Sequence, residues 1–100
     1  MTKAEALARL RAREEDLRRL GITRLALFGS TARDEARPDS DVDLVASIDY
    51  DAVRALGPFG FFGIEGKIED MLGAKVDFMT EPTDEIRLRA AIDRDRVRVF

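Results

Sequence analysis

The run from Ile22 to Phe28 is apolar on both faces apart from Thr23 and Arg24. A strand that lined only one face of a core would alternate apolar and polar residues, so this run reads as a strand buried in a sheet. Such a strand needs covering layers, and the rest of the chain supplies them. Thr2-Lys3-Ala4-Glu5 matches a capping box, and Ala6, Leu10, Leu17 and Leu20 fall near one helical face until Gly21 stops the helix as a left-handed cap. After Gly29-Ser30, Thr31 to Ala36 has room for one or two helical turns before Pro38 forbids continuation. Asp41 to Ile48 carries Val42, Leu44, Ala46 and Ile48 at period two and is the second strand. Tyr50 to Leu56 reads as a helix, 57–63 as a glycine-rich loop, and Ile64, Ile68, Met71 and Leu72 as the face of a helix ended by Gly73. Ala74 to Thr80 is a third strand. A helix from about Asp84 to Asp93 follows, and 97–100 adds an edge strand. Strands alternating with helices over 100 residues indicate one small α/β domain, a sheet packed with helices, spanning 1–100.

The chain has no cysteine and no histidine, which excludes thiol nucleophiles, disulfides, imidazole bases and zinc held by either residue. Any catalysis must run on carboxylates, hydroxyls, Lys, Arg and a hard metal ion. No stretch has the length of a membrane span or a signal peptide, so a cytoplasmic protein is expected. A net charge of −3 argues against a general nucleic-acid track. The basic side chains of 3–24 interleave with Glu14, Glu15 and Asp16, as a solvated, ion-paired helix face does.

Asp41-Val42-Asp43 carries the chemistry. On a strand, residues i and i+2 project to one face, so both carboxylates point away from Val42. Adjacent carboxylates repel, and a divalent cation removes the conflict; with oxygen donors alone, Mg²⁺ or Mn²⁺ is favoured. Gly29-Ser30 sits at a strand-to-helix turn, where free amides, a close backbone approach and a hydroxyl suit a phosphate. Asp77 lies on the third strand opposite in facing to Val76 and Phe78, and joins Asp41 and Asp43 if the strands are neighbours. Strand, Gly-Ser, short helix and Asp-x-Asp together place a phosphate cradle beside a metal site, the layout of phosphoryl or nucleotidyl transfer.

Gly29-Ser30-Thr31-Ala32-Arg33 followed by Ser40-Asp41-Val42-Asp43-Leu44, with Leu72 to Asp77 further on, resembles the signature of the minimal nucleotidyltransferases of the polymerase-beta-like superfamily. The resemblance implies that superfamily's fold, with a small mixed sheet. It also implies transfer of AMP from ATP with release of pyrophosphate. By the same resemblance Gly29 and Ser30 hold the β- and γ-phosphates, and Asp41 and Asp43 bridge two Mg²⁺ ions; Arg33 either contacts phosphate or forms a plain surface ion pair with Asp34 or Glu35. Asp77 binds the catalytic metal and helps deprotonate the acceptor. Relatives of this length resemble antitoxins that adenylylate a tyrosine of a HEPN-domain ribonuclease toxin, which makes such a toxin the expected partner. Two alternatives stand beside this: a silent antitoxin that blocks its toxin by occlusion, and a small-molecule nucleotidyltransferase. The chain departs from the signature at Asp34, where glycine is usual, which puts an acid near the expected triphosphate path.

Gly60 to Lys67 superficially suggests a Walker A loop but fails on spacing and on Ile68 after the lysine. Phe59, Phe61 and Phe62 read as core fillers, with a partner-docking patch as the competing account.

Overall fold

The computed structural model describes residues 1–100. In chain order the elements are α1 (Lys3–Arg11), α2 (Glu14–Arg19), β1 (Ile22–Phe28), α3 (Gly29–Ala32), β2 (Val42–Ile48), α4 (Tyr50–Ala55), α5 (Ile64–Leu72), β3 (Val76–Thr80), α6 (Ile86–Asp95) and β4 (Val97–Arg98). The sheet order is β3-β2-β1-β4; β1 is antiparallel to both β2 and β4, and β2 runs parallel to β3. This is the small mixed α/β sheet expected. Its parallel pair is made possible by the long return through α4 and α5.

The pleat divides the core in two. Leu25, Leu27, Val42, Leu44, Ala46 and Val76 face one side, where Ala6 and Leu10 of α1, Leu17 of α2, and Ile64, Ile68 and Leu72 of α5 close over them. Ala26, Phe28 and Val45 face the other side and meet Ile92 of α6, with Met79 and Leu88 at the margin. Burial on both faces is why β1 is apolar throughout its second half. The second face is covered chiefly by α6 alone. The strand ends there remain open, and all three candidate carboxylates stand on that face.

The N-terminal segment is two helices rather than one from 3 to 20. The helix breaks at Ala12 and Arg13, with Arg13 at φ −113°, ψ 20°. This bend lets α1 pack on α5 while α2 turns onto β1. The charge pattern carries the signal: Glu14, Glu15 and Asp16 stand in the first turn of α2 and Arg18 and Arg19 in its last, each complementing a helix terminus of its own. The expected ion pairs are present as Arg13–Asp16 at 2.8 Å and Arg18–Glu14 at 2.8 Å. Two arginines do something else. Arg9 donates to the carbonyl of Leu72 at the end of α5, and Arg11 donates to the carbonyls of Val99 and Arg98, pinning β4.

The phenylalanines 59, 61 and 62 are not core. Phe59 and Phe62 are 77% and 79% exposed, and Phe61 stacks on Tyr50 with ring centroids 6.3 Å apart. The helical core on that side is already filled by Val53, Ile64 and Ile68, which leaves no volume for three further rings. The loop follows α4 beyond the C-terminal end of β2, whereas Asp41 and Asp43 stand at its N-terminal end. No helix is long and apolar enough to cross a membrane.

Candidate active site

Asp43 lies near the start of the central strand β2, with Phe28 of β1 as its partner on one side and Asp77 of β3 on the other. The Asp43–Asp77 pairing is in register across parallel strands, so both side chains project from the same face, about 4.8 Å apart along the hydrogen-bonding direction. Asp41 is exposed and sits one residue before the strand rather than within it. The turn ahead of it is built by Pro38: Ser40 N–H donates to the Arg37 carbonyl at 3.0 Å, and Ser40 Oγ accepts from the Arg37 amide at 3.0 Å.

The charges of Asp77 and Asp41 act on Asp43. The Asp43 carboxyl is raised above the ordinary aspartate range, first by partial burial and then by the negative charges of Asp77 and Asp41, with Arg33 pulling the other way. The carboxylates do not converge into a three-ligand cluster in the free chain. Their donor set nonetheless fits a hard divalent cation: only carboxylate oxygens, on one open face, with like-charge repulsion that a cation would relieve.

Gly29 is pressed against this group. Its φ is +71°, and a Cβ built there would run into the Asp43 carboxylate. Glycine is therefore required twice, by the backbone conformation and by the close approach of the chain to the carboxylate. The turn leads into α3, with half-buried Ser30 in its first turn. The first amides of a helix have no partner within it and are available to an anion.

Arg33, the C-cap of α3, is held by acids on both sides: Nη1 donates to Asp95 Oδ2 at 2.6 Å and Nε to Glu35 Oε2 at 3.2 Å. Asp95 has a side chain only 4% exposed and also accepts from Arg94 Nε and Nη2. Sequence reading missed Asp95. Its signal is a carboxylate on the apolar stripe Leu88, Ile92, Asp95, at i, i+4, i+7. Hydrogen bonds from Arg94, and then from Arg33, overcome burial and bring its pKa down to about 2. A depressed carboxylate stabilises the fold above its unfolded value of about 4. Wild-type stability is therefore expected to fall as pH drops from about 4 towards 2. Asp95→Asn should flatten that limb in acid-denaturation curves; an unchanged limb would show that Asp95 does not drive it.

Asp34 stands where the signature usually has glycine, and its backbone shows why glycine suits the position. Its φ of 60° is left-handed, the conformation glycine takes without cost and aspartate tolerates better than most residues. Its Oδ1 accepts from the Lys3 amide at 3.0 Å, so the carboxylate caps the N-terminus of α1. The acid is thus engaged by a helix amide.

With the geometry described, comparisons with known proteins bear on it. The family profile described as "Nucleotidyltransferase domain" matches residues 10–99. The chain is 31% identical over 100 residues to the protein adenylyltransferase MntA of Thermococcus cleftensis, covering 99% of this chain and 97% of that protein. Among solved structures it resembles one named "putative minimal nucleotidyltransferase", with a TM-score of 0.67, 33% identity, and 97% and 95% of the two chains covered. A toxin–antitoxin structure with AMP-PNP shares the fold at a TM-score of 0.61 and 15% identity, covering 100% of this chain and 73% of that one. A nearly complete profile match, a relative aligned end to end, and Asp41, Asp43 and Asp77 gathered on one sheet face beside Gly29 lead to one conclusion: the chain belongs to the nucleotidyltransferase domain family.

Proposed function

We propose that this protein transfers AMP from ATP to a hydroxyl of a partner protein, a tyrosine of a HEPN-type ribonuclease toxin, and thereby acts as an antitoxin. The observation that carries the reading is the register that sets Asp77 beside Asp43, with Asp41 on the same face and the Gly29 turn in contact. The MntA relative is named a protein adenylyltransferase, and an MntA–HpeT toxin–antitoxin shares the fold at a TM-score of 0.63. Both names support a protein acceptor.

In this reading the acceptor oxygen bonds to the α-phosphorus of ATP, the bond from that phosphorus to the bridging oxygen of the β-phosphate breaks, and pyrophosphate leaves. Asp77 accepts the hydroxyl proton. Asp41, Asp43 and Asp77 would hold two Mg²⁺ ions, which supply charge neutralisation to the attacking and leaving oxygens. The amides at the head of α3 and the Ser30 hydroxyl hold the β- and γ-phosphates. Arg33 has Nη2 outside its two ion-pair hydrogen bonds and can turn it to a phosphate. The open face lacks a wall to exclude water, and a docked toxin supplies that wall together with the attacking hydroxyl.

Ser30→Ala is expected to weaken binding of a non-hydrolysable ATP analogue by about 1.5–3 kcal/mol, the scale of a hydrogen bond to a charged group. Calorimetry on the variant checks this, and unchanged affinity would leave Ser30 a purely local role in the turn. The function itself is tested by incubating the toxin with ATP, Mg²⁺ and this protein. One AMP on a toxin tyrosine is expected; an unmodified toxin that is still neutralised would favour occlusion.

A further inference from the structure

The sheet face that carries the carboxylates has a second polar concavity towards the opposite strand ends. Arg24 precedes Phe28 on β1 by two pleat repeats, and Arg98 of β4 is the cross-strand partner of Ala26, so alternation places both on that face. Arg18, Arg24, Arg96 and Arg98 surround a cavity of about 490 Å³, whose floor includes Ala26 and Val45 and whose wall includes Glu81.

These four arginines are not equivalent. Arg96 makes a two-pronged pair with Glu81 at 2.8 and 2.7 Å, and Arg18 pairs with Glu14 at 2.8 Å while lying 4.6 Å above the Phe100 ring. They are neutralised and fixed. Arg24 and Arg98 have no ion-pair partner within 4.0 Å. Two guanidinium groups without a direct ion pair therefore border one open-mouthed hollow, in which the Glu81 carboxylate feels Arg24 but is held by Arg96, in a chain whose net charge is −3. An anion would give both a partner, and the planar fork of each guanidinium matches phosphate oxygens. A single hollow lined by ten residues suits a small ligand and not a nucleic-acid track. The volume is within the range of ligand pockets.

We propose that this cavity binds a small phosphate-bearing anion with several adjacent negative charges, an inorganic polyphosphate or a nucleotide polyphosphate, at a site separate from Asp41, Asp43 and Asp77. Four residues of strand separate Arg24 from Phe28, the partner of Asp43, which is about 13 Å at strand rise. No carboxylate of the active site lines the cavity. The site accordingly needs no metal.

Calorimetric titration of sodium tripolyphosphate in EDTA tests this, using wild type, Arg24→Ala/Arg98→Ala and Asp41→Asn/Asp43→Asn. Wild type and the Asn pair are expected to bind alike, and the Ala pair to bind at least about tenfold more weakly, the loss of two charge-assisted contacts. Both arginines are exposed, so the Ala pair should keep the wild-type melting temperature and transfer rate. Repeating the titration with ATP separates the sources: tighter binding than tripolyphosphate assigns the site to a nucleotide, equal binding to the polyphosphate alone. No binding in EDTA, unchanged binding by the Ala pair, or tighter binding of an oligoglutamate peptide would overturn the proposal. Because the titration has no catalytic readout, its failure is distinct from failure of the transferase reading.

Discussion

Asp41→Asn and Asp43→Asn are each expected to lower AMP transfer on the order of a thousandfold, about 4 kcal/mol of barrier, while the protein stays folded. Each substitution removes a carboxylate charge from the open face without altering side-chain volume. The fold should respond in the opposite direction to the activity. Asp43 has a raised carboxyl, so the folded state holds its proton more tightly than the unfolded chain does. Such a group contributes stability below its ordinary value, and that contribution is lost as pH rises through the raised value. Above its ordinary value the carboxyl therefore costs the fold stability, through burial first and then through the charges of Asp77 and Asp41. Asp43→Asn should therefore raise the melting temperature at pH 7 and lose that advantage at low pH. A variant that is inactive and also unfolded would assign Asp43 a structural role instead.

The second large effect is expected at Gly29. Alanine there meets a left-handed backbone costing about 1–2 kcal/mol and the end of the Asp43 carboxylate, which must give way. Gly57 is the internal control: its φ is +99°, but a Cβ built on it meets nothing within 4 Å. Gly57→Ala should show the backbone cost alone and keep full activity. Gly29→Ala should cost more stability and abolish transfer, since the Asp43 carboxylate has to move aside. The excess should shrink in the Asp43→Ala background, which removes the contacting atoms, if the contact is its source, and chemical denaturation of wild type, the two single variants and the double variant measures it. Equal destabilisation by the two alanines would show that Gly29 is required for backbone conformation only.

Where pattern and burial coincide, the sequence was legible. Period-two alternation in Val42, Leu44 and Ala46 set the facing of β2, and the same logic set Asp77 opposite Val76 and Phe78; both hold in the sheet. The helix over Ile64–Leu72 ends at Gly73 with φ +71° as its spacing required. Other features depended on partners distant in the chain. The break between α1 and α2 answers to two different packing surfaces, and only the renewed run of acids at Glu14 marked it. The three phenylalanines carry no periodicity that tells a filled core from an open surface. Asp34 became intelligible only through Lys3, and Asp95 only through Arg33, contacts spanning 31 and 62 residues.

The central claim is that one face of this sheet moves AMP onto a protein hydroxyl through Asp41, Asp43 and Asp77. Intact-mass spectrometry of a HEPN-type toxin co-expressed with this protein tests it most directly. The toxin should gain the mass of one AMP moiety with the wild-type chain and none with Asp41→Asn/Asp43→Asn. Equal neutralisation by both chains, with no nucleotide on the toxin in either case, would contradict it.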